Sequence, residues 1–109
     1  MALKHAKQLD VIDLHADGTA RGTELSSSLL RTERLQLLLI VLSPGDVVPQ
    51  HHVDTEFTIQ CLTGEVGVDT PDRACTLKPG QLVALPADEP YTLMANTQAS
   101  LLVTLLRRT

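Results

Sequence analysis

The feature that most constrains the fold is a series of short apolar segments, each of strand length, separated by turns rich in glycine and proline. Turn sequences such as Lys78-Pro79-Gly80 and residues 86–90 divide the second half of the chain at short intervals. Strands are therefore predicted at 57–68 (interrupted by glycines), Ala74–Leu77, 81–85, Tyr91–Ala95 and 100–106. Short strands at this spacing indicate an all-β sandwich or barrel.

The segment 29–42 admits two interpretations. Its leucines favour a helix by propensity, and residues 35–42 have no polar face after Gln36, so a buried helix and a buried strand both fit. Because the run ends in Ser-Pro-Gly and continues into a further apolar pair, we predict a strand over Leu35–Leu42.

The first 28 residues are polar and mixed in composition. We predict an N-terminal segment over 1–28, with an edge strand at 11–14 and a turn or loop at 26–28, ahead of a barrel over 29–109. A chain of 109 residues and 11.8 kDa is expected to form a single domain overall.

Aromatic residues make up only 2% of the chain, as Phe57 and Tyr91 with no tryptophan. Modules that stack nucleic-acid bases need aromatic platforms, and phosphate-binding surfaces are normally basic. With a net charge of −4 and a pI near 5.4, the chain is not expected to bind nucleic acid.

Two cysteines, Cys61 and Cys75, are too few for a disulfide scaffold and are expected to be small core residues. The first 13 residues lack the continuous apolar stretch of a signal peptide, and the apolar runs at 37–42 and 101–106 are far shorter than the roughly 20 residues of a membrane span. These features predict a cytoplasmic protein with no membrane partner.

Two glycine-anchored stretches, in the expected order, resemble the two motifs of the cupin family. The first contains Gly45, His51 and Gly64 at the motif's spacing, and the second opens with Gly80 and Pro86. The resemblance covers residues 35–106 and implies a double-stranded β-helix, the jelly-roll barrel of the RmlC-like cupins.

The resemblance also implies a site for Fe, Mn, Ni or Zn, held by two histidines and a glutamate of the first motif and a histidine of the second. The corresponding positions here are His51, Val53, Phe57 and Tyr91. Valine and phenylalanine have no donor atoms, and a neutral tyrosine is a poor ligand for a divalent ion. The chain therefore resembles cupins with a degenerate metal site, and no metal cofactor is favoured.

A shift by one residue offers an alternative metal site. The shift brings Gln50, His52 and Glu56 to the ligand positions, and a bulged partial site would use His51, His52 and Glu56. Because strand side chains alternate between faces, both registers can face one interior only if a β-bulge intervenes.

Strand alternation in the first register predicts a mostly apolar pocket inside the barrel. Its lining would be His51, Val53, Phe57, Ile59, Tyr91 and Leu93. A hydrogen bond between His51 and the Tyr91 hydroxyl is also predicted, since a buried hydroxyl needs a partner.

Three functions are consistent with this pocket. The favoured one is a small-molecule-binding or sensing module without metal. An enzyme is the alternative, either a metal-dependent dioxygenase or isomerase on the shifted set, or a metal-free isomerase or cyclase with His51 as base and Tyr91 as acid. The third is a structural protein with a filled barrel that acts through its dimer surface. The resemblance implies a homodimer, for which 29–42 and 101–106 are the candidate surfaces.

Overall fold

Nine β-strands form the described part of the chain in a computed structural model, which covers residues 6–14, 26–51 and 53–107. The strands are β1 (Ser26–Arg31), β2 (Leu35–Leu42), β3 (Val47–His51), β4 (Phe57–Thr63), β5 (Val66–Asp69), β6 (Ala74–Leu77), β7 (Leu82–Leu85), β8 (Tyr91–Ala95) and β9 (Ala99–Leu106). The prediction of an all-β fold is confirmed. Among the described residues, no helix is long and apolar enough to cross a membrane.

The strands form two antiparallel sheets. One has the order β1-β2-β9-β4-β7 and the other the order β3-β8-β5-β6. Side chains from both sheets alternate into one buried apolar core, in which Ile59, Leu93 and Leu101 are completely inaccessible to solvent. The core is built almost entirely of aliphatic side chains, as the scarcity of aromatic residues requires.

Strand β2 has the bounds that the sequence predicts, and it is a strand rather than a helix. It pairs with β9 over its whole length, from Leu35 opposite Leu106 to Leu42 opposite Ala99. Ile40 and Leu42 enter the core and Leu38 packs against it, while Leu37, Leu39 and Val41 alternate with them on the outer face. The absence of a polar face in the sequence therefore reflects a strand that is apolar on both sides.

Two predictions for the N-terminal segment are wrong. Residues 11–14 form no strand, and the edge strand is β1, which includes the serines at 26–28 that were predicted as a turn or loop. Serine is compatible with a strand when a neighbour pairs with it, and β1 pairs with β2 from Ser26 opposite Ile40. The Gln36 side chain also donates a hydrogen bond to the Ser28 hydroxyl at 3.0 Å. Strand β1 thus crosses the boundary drawn between 1–28 and 29–109.

A short turn connects β6 and β7, which are terminal strands of different sheets and do not pair with each other. Pro79 and Gly80 occupy its centre, Gly80 has φ +87°, and the Gln81 N–H donates to the Lys78 carbonyl at 2.9 Å. This is the geometry of a type II turn, which favours proline followed by glycine. Strand β6 ends one sheet and β7 ends the other, so a gap lies between two strand edges that pair with no further strand in the described part of the chain.

Candidate functional site

A β-bulge in β3 determines which residue lies opposite Tyr91. Val48 pairs with Leu93, but the next pairing is His51 with Tyr91, so β3 has one extra residue at this point. Without the bulge, Gln50 would take the place of His51 opposite Tyr91. The backbone therefore pairs the two residues that were predicted to interact, while the hydrogen bond itself stays a prediction because the side chain of His51 lies outside the described part of the structure.

Phe57 and Tyr91 pack against each other inside the barrel. Their ring centroids are 5.1 Å apart with the planes tilted by 46°, and the side chains are 2% and 6% exposed. Offset and tilted ring pairs of this kind add about 0.5–1.5 kcal/mol to the burial of the rings. Burial also raises the pKa of the Tyr91 phenol above its ordinary value. At neutral pH this hydroxyl is therefore protonated and able to donate a hydrogen bond.

The positions aligned with the cupin metal ligands do not form a ligand set for a divalent ion. Phe57 is a core residue, and Val53 is half-buried and packs against the core. Among the described residues no group of three or more histidine, cysteine or acidic side chains is close enough to hold a metal ion. In the shifted set, Glu56 is exposed, and His52 and the His51 side chain lie outside the described residues, so that alternative stays a prediction.

The predicted pocket residues whose side chains are described lie in or against the core. Phe57, Ile59 and Leu93 are at most 2% exposed, and Val53 packs beside them. Tyr91 borders a smaller cavity of about 220 Å³ formed with the β5–β6 turn and Pro90. Their role in ligand binding remains a prediction.

A cavity of about 640 Å³ lies at the gap between β6 and β7. Its walls are formed by β5, β6, β7 and the turns next to them. The lining residues are Val68, Thr70, Asp72, Arg73, Cys75, Leu77, Gln81, Leu82, Val83, Ala84, Leu85, Pro86 and Glu89.

The cavity has an apolar floor and a polar rim. Val68, Leu77 and Leu85 are buried core residues, and Cys75 and Val83 are half-buried beside them. We call these five residues the cavity floor. Charged and amide side chains surround it, and these rim residues are Asp72, Arg73, Gln81 and Glu89. The volume and this composition match those of ordinary small-molecule sites, which measure about 300–1,000 Å³ and are mainly apolar.

The two cysteine thiols have different environments. Cys61 is fully buried, and its Sγ lies 3.3 Å from the Thr63 carbonyl oxygen. Burial, with a smaller contribution from the carboxylate of Glu65, raises the pKa of the Cys61 thiol. Cys75, in contrast, belongs to the cavity floor. The prediction that both are core residues therefore holds for Cys61, while Cys75 is only half-buried.

The cavity floor was not identified from the sequence, although a signal was present. In Ala74–Leu77 and Leu82–Leu85 every second residue is the inward-facing one, as alternation requires. That pattern predicts which side chains point inward. It does not predict that β6 and β7 remain unpaired, which is what leaves space in front of them.

Comparison with known proteins identifies close structural neighbours but no sequence family. No family model matches the chain. No curated protein matches it either.

Three solved structures illustrate the similarity in fold. The chain is similar to a cupin superfamily protein from Desulfitobacterium hafniense, with 22% identity, a TM-score of 0.80, and coverage of 99% of this chain and 100% of that one. A cupin-2 domain containing protein from Shewanella frigidimarina is 16% identical over 89% and 95% of the two chains, with a TM-score of 0.74. A conserved protein of unknown function from Streptococcus pyogenes is 19% identical over 100% and 99%, with a TM-score of 0.76. At these identities the agreement is one of fold.

Proposed function

We propose that this chain, which has the fold of a small cupin domain, binds a small molecule in the cavity between β6 and β7. The observation that carries the proposal is the cavity floor. Its five apolar side chains border about 640 Å³ of space at an opening between two sheet edges. A fold by itself does not determine function, so the argument depends on this site.

The rim restricts the kind of ligand. Asp72, Arg73 and Glu89 offer charged groups of both signs at the entrance, while the interior offers hydrocarbon and one thiol. An amphipathic molecule fits this arrangement, with its apolar part on the floor and its polar groups at the rim. The predicted inner pocket around Tyr91 would extend the site further into the barrel if core side chains moved.

A cysteine on the cavity floor makes the proposal directly testable. In the absence of ligand, an aromatic disulfide reagent should modify Cys75 and leave the buried Cys61 unmodified. Small organic acids, amides and aromatic metabolites would be screened by thermal shift, and each hit tested for protection of Cys75. We expect a true ligand to raise Tm and to slow modification of Cys75 together.

A matched pair of variants distinguishes the cavity from the rest of the surface. Val83→Phe places a ring in the cavity and should abolish binding. Val47→Phe adds the same volume at a 48% exposed position on β3 and should leave binding unchanged. Equal binding by both variants, or a screen without any protecting compound, would contradict the proposal.

Acid–base catalysis is the second candidate function, and the pairing of His51 with Tyr91 favours it. In this scheme His51 accepts a proton from the substrate and Tyr91, kept protonated by its raised pKa, donates one. Conversion of a bound ligand, followed by NMR, would support catalysis if Tyr91→Phe abolished turnover but not binding. A bound ligand that stays chemically unchanged over a day would support binding without catalysis.

Metal content distinguishes a further alternative. The proposed site uses no metal, whereas a site formed by His51, His52 and Glu56 would hold a divalent ion. Elemental analysis of protein purified without added metal should give far less than one equivalent of Fe, Mn, Ni or Zn. A stoichiometric metal that is lost in Glu56→Gln would instead favour a metal-dependent enzyme.

Assembly as a cytoplasmic homodimer is part of the same proposal. The outer face of β2 carries Leu35, Leu37, Leu39 and Val41, where sheets that face solvent normally carry polar residues. An apolar face of this kind supports association with a second copy.

A further inference from the structure

The free backbone edge of β7 borders the cavity. Among the described residues, strand β7 ends its sheet and pairs with β4 alone. The Cys61 N–H donates to the Gln81 carbonyl at 2.8 Å, so the backbone of Gln81 points toward β4. In an antiparallel ladder the backbone groups alternate in direction, so Val83 and Leu85 also point toward β4. The N–H and C=O groups of Leu82 and Ala84 therefore point away from it.

Leu82 and Ala84 border the cavity through the edge of the strand. Their side chains lie on the outer face, where Leu82 is 57% exposed, while Val83 and Leu85 point inward. Both residues nevertheless line the cavity. Two consecutive pairs of backbone donors and acceptors, about 7 Å apart along the strand, thus stand beside the cavity floor.

This four-residue edge lacks three of the features that usually protect a terminal strand from pairing. Its sequence, Leu82–Leu85, contains no charged residue, no proline and no bulge. Natural proteins commonly place such features on exposed edges because free strand edges recruit other extended chains. An unprotected edge next to an apolar cavity is the arrangement that strand addition requires.

We propose that the ligand of this cavity contains a secondary amide in extended conformation, as in a short apolar peptide, and that it pairs with β7 as an added strand. This inference rests on the proposed binding function. The ligand amide exchanges hydrogen bonds with Leu82 and Ala84. Its inward side chain packs on the cavity floor, where strand alternation directs every second residue.

A peptide probe and its methylated form test the hydrogen bonds. The probe is a blocked valyl-leucyl-valine tripeptide, and the comparison peptide has methyl groups on its amide nitrogens. Isothermal titration should show binding of the first peptide and about tenfold or weaker binding of the second, since each lost hydrogen bond costs about 0.5–1.5 kcal/mol. The first peptide should also protect Cys75 from modification.

A proline substitution tests the same bonds from the side of the protein. Ala84→Pro removes an N–H that faces away from β4, so the β4–β7 ladder is preserved, and proline is tolerated at such edge positions. We expect this variant to bind the peptide about tenfold more weakly, while Ala84→Ser, which keeps the N–H, binds normally. Circular dichroism establishes that both variants fold, and if Ala84→Pro does not fold, the methylated peptide on the unchanged protein decides the question.

The outcomes distinguish this inference from the proposed function. Loss of affinity on methylation and in Ala84→Pro supports strand addition. Equal affinity of both peptides, or protection of Cys75 only by compounds without an amide, overturns strand addition and leaves cavity binding intact. Failure of every peptide and every screened compound to protect Cys75 overturns both.

Discussion

Two glycines with the same backbone conformation differ in what surrounds them. Gly64 and Gly80 have φ of +78° and +87°, a region that non-glycine residues rarely adopt. A Cβ at Gly80 would meet no atom within 4 Å, whereas a Cβ at Gly64 would lie 2.1 Å from the Gln98 carbonyl oxygen and 2.7 Å from the Cα of Ala99. These neighbours are backbone atoms and cannot rotate away.

Alanine substitutions should separate the two effects. Gly80→Ala should lower the free energy of unfolding by about 1–2 kcal/mol from the backbone conformation alone. Gly64→Ala should cost roughly a further 1–3 kcal/mol because the backbone of the β8–β9 turn must move. Urea unfolding of both variants measures the difference, and equal losses would show that the close approach at Gly64 contributes nothing.

Tyr91 offers a clean titration because it is the only tyrosine in a chain without tryptophan. Burial raises its pKa in the folded state, so the folded protein holds the phenolic proton more tightly than the unfolded chain. This contribution to stability is complete below the ordinary pKa of about 10 and is lost as the pH rises through the higher folded value. Absorbance at 295 nm should titrate above pH 10 in native protein and near pH 10 in denaturant. A native midpoint at or below the denatured one would contradict the burial.

At the scale of single residues, the sequence predicts which side chains are buried better than it predicts where a cavity lies. Alternation and the motif alignment place Phe57, Ile59 and Leu93 on the inner face, and each is buried. The large cavity lies elsewhere because the available space depends on how the ends of the two sheets approach each other. The relative position of β6 and β7 cannot be predicted from the sequence of either strand alone.

At the scale of elements, strand bounds follow the sequence closely where turns are marked by glycine or proline. Leu35–Leu42, Ala74–Leu77 and Tyr91–Ala95 have the predicted ends. Strand β1 was missed because its serines carry the signal of a turn, and only pairing with β2 makes them a strand. The bulge in β3 was likewise recognised only as a condition for the shifted register, since it depends on pairing with β8.

The β1–β2 turn combines a backbone hydrogen bond, from the Thr32 N–H to the Leu35 carbonyl at 2.7 Å, with hydrogen bonds of the Thr32 hydroxyl. The Thr32 Oγ1 accepts hydrogen bonds from the N–H groups of Arg34 and Leu35 at 3.3 and 3.0 Å. The Arg107 side chain also donates to the Thr32 carbonyl and fastens the end of β9 to this turn.

Replacing this hydroxyl should loosen the turn. Thr32→Val keeps the shape of the side chain and removes all hydrogen bonds of the hydroxyl, including the one it donates to the Leu35 carbonyl at 3.4 Å. We expect a loss of about 1–2 kcal/mol in the free energy of unfolding. Amide hydrogen exchange at Arg34 and Leu35 should become faster. Thr58→Val on the outer face of β4 is the control, because the Thr58 hydroxyl makes no hydrogen bond with any described residue. A similar loss in this variant would show that the turn is not specifically affected.

At the scale of the whole molecule, the outer face of the five-stranded sheet is rich in apolar residues on β2 and β9. On the five-stranded sheet, Leu39 lies opposite Leu102, and Leu35 lies opposite Leu106, which is 51% exposed. With Leu37, these residues make a mainly apolar surface across β2 and β9, which is interrupted by Thr104 opposite Leu37. Because apolar surface in contact with water is unfavourable by roughly 25 cal/mol per Å², covering it with the same surface of a second copy would stabilise a symmetric dimer.

A charged residue at the centre of this surface tests the dimer. The protein should elute at twice the chain mass of 11.8 kDa at micromolar concentration, and Leu39→Lys should shift it to a monomer. Val47→Lys, an equally drastic change at an exposed position of the other sheet, should leave the dimer intact. Sedimentation equilibrium gives both masses. A monomeric parent protein would refute the homodimer, and a dimer that survives Leu39→Lys but not Val47→Lys would assign the interface to the opposite sheet.

Because the β6–β7 gap lies at the other end of the five-stranded sheet from β1 and β2, we expect the Leu39→Lys monomer to retain ligand binding.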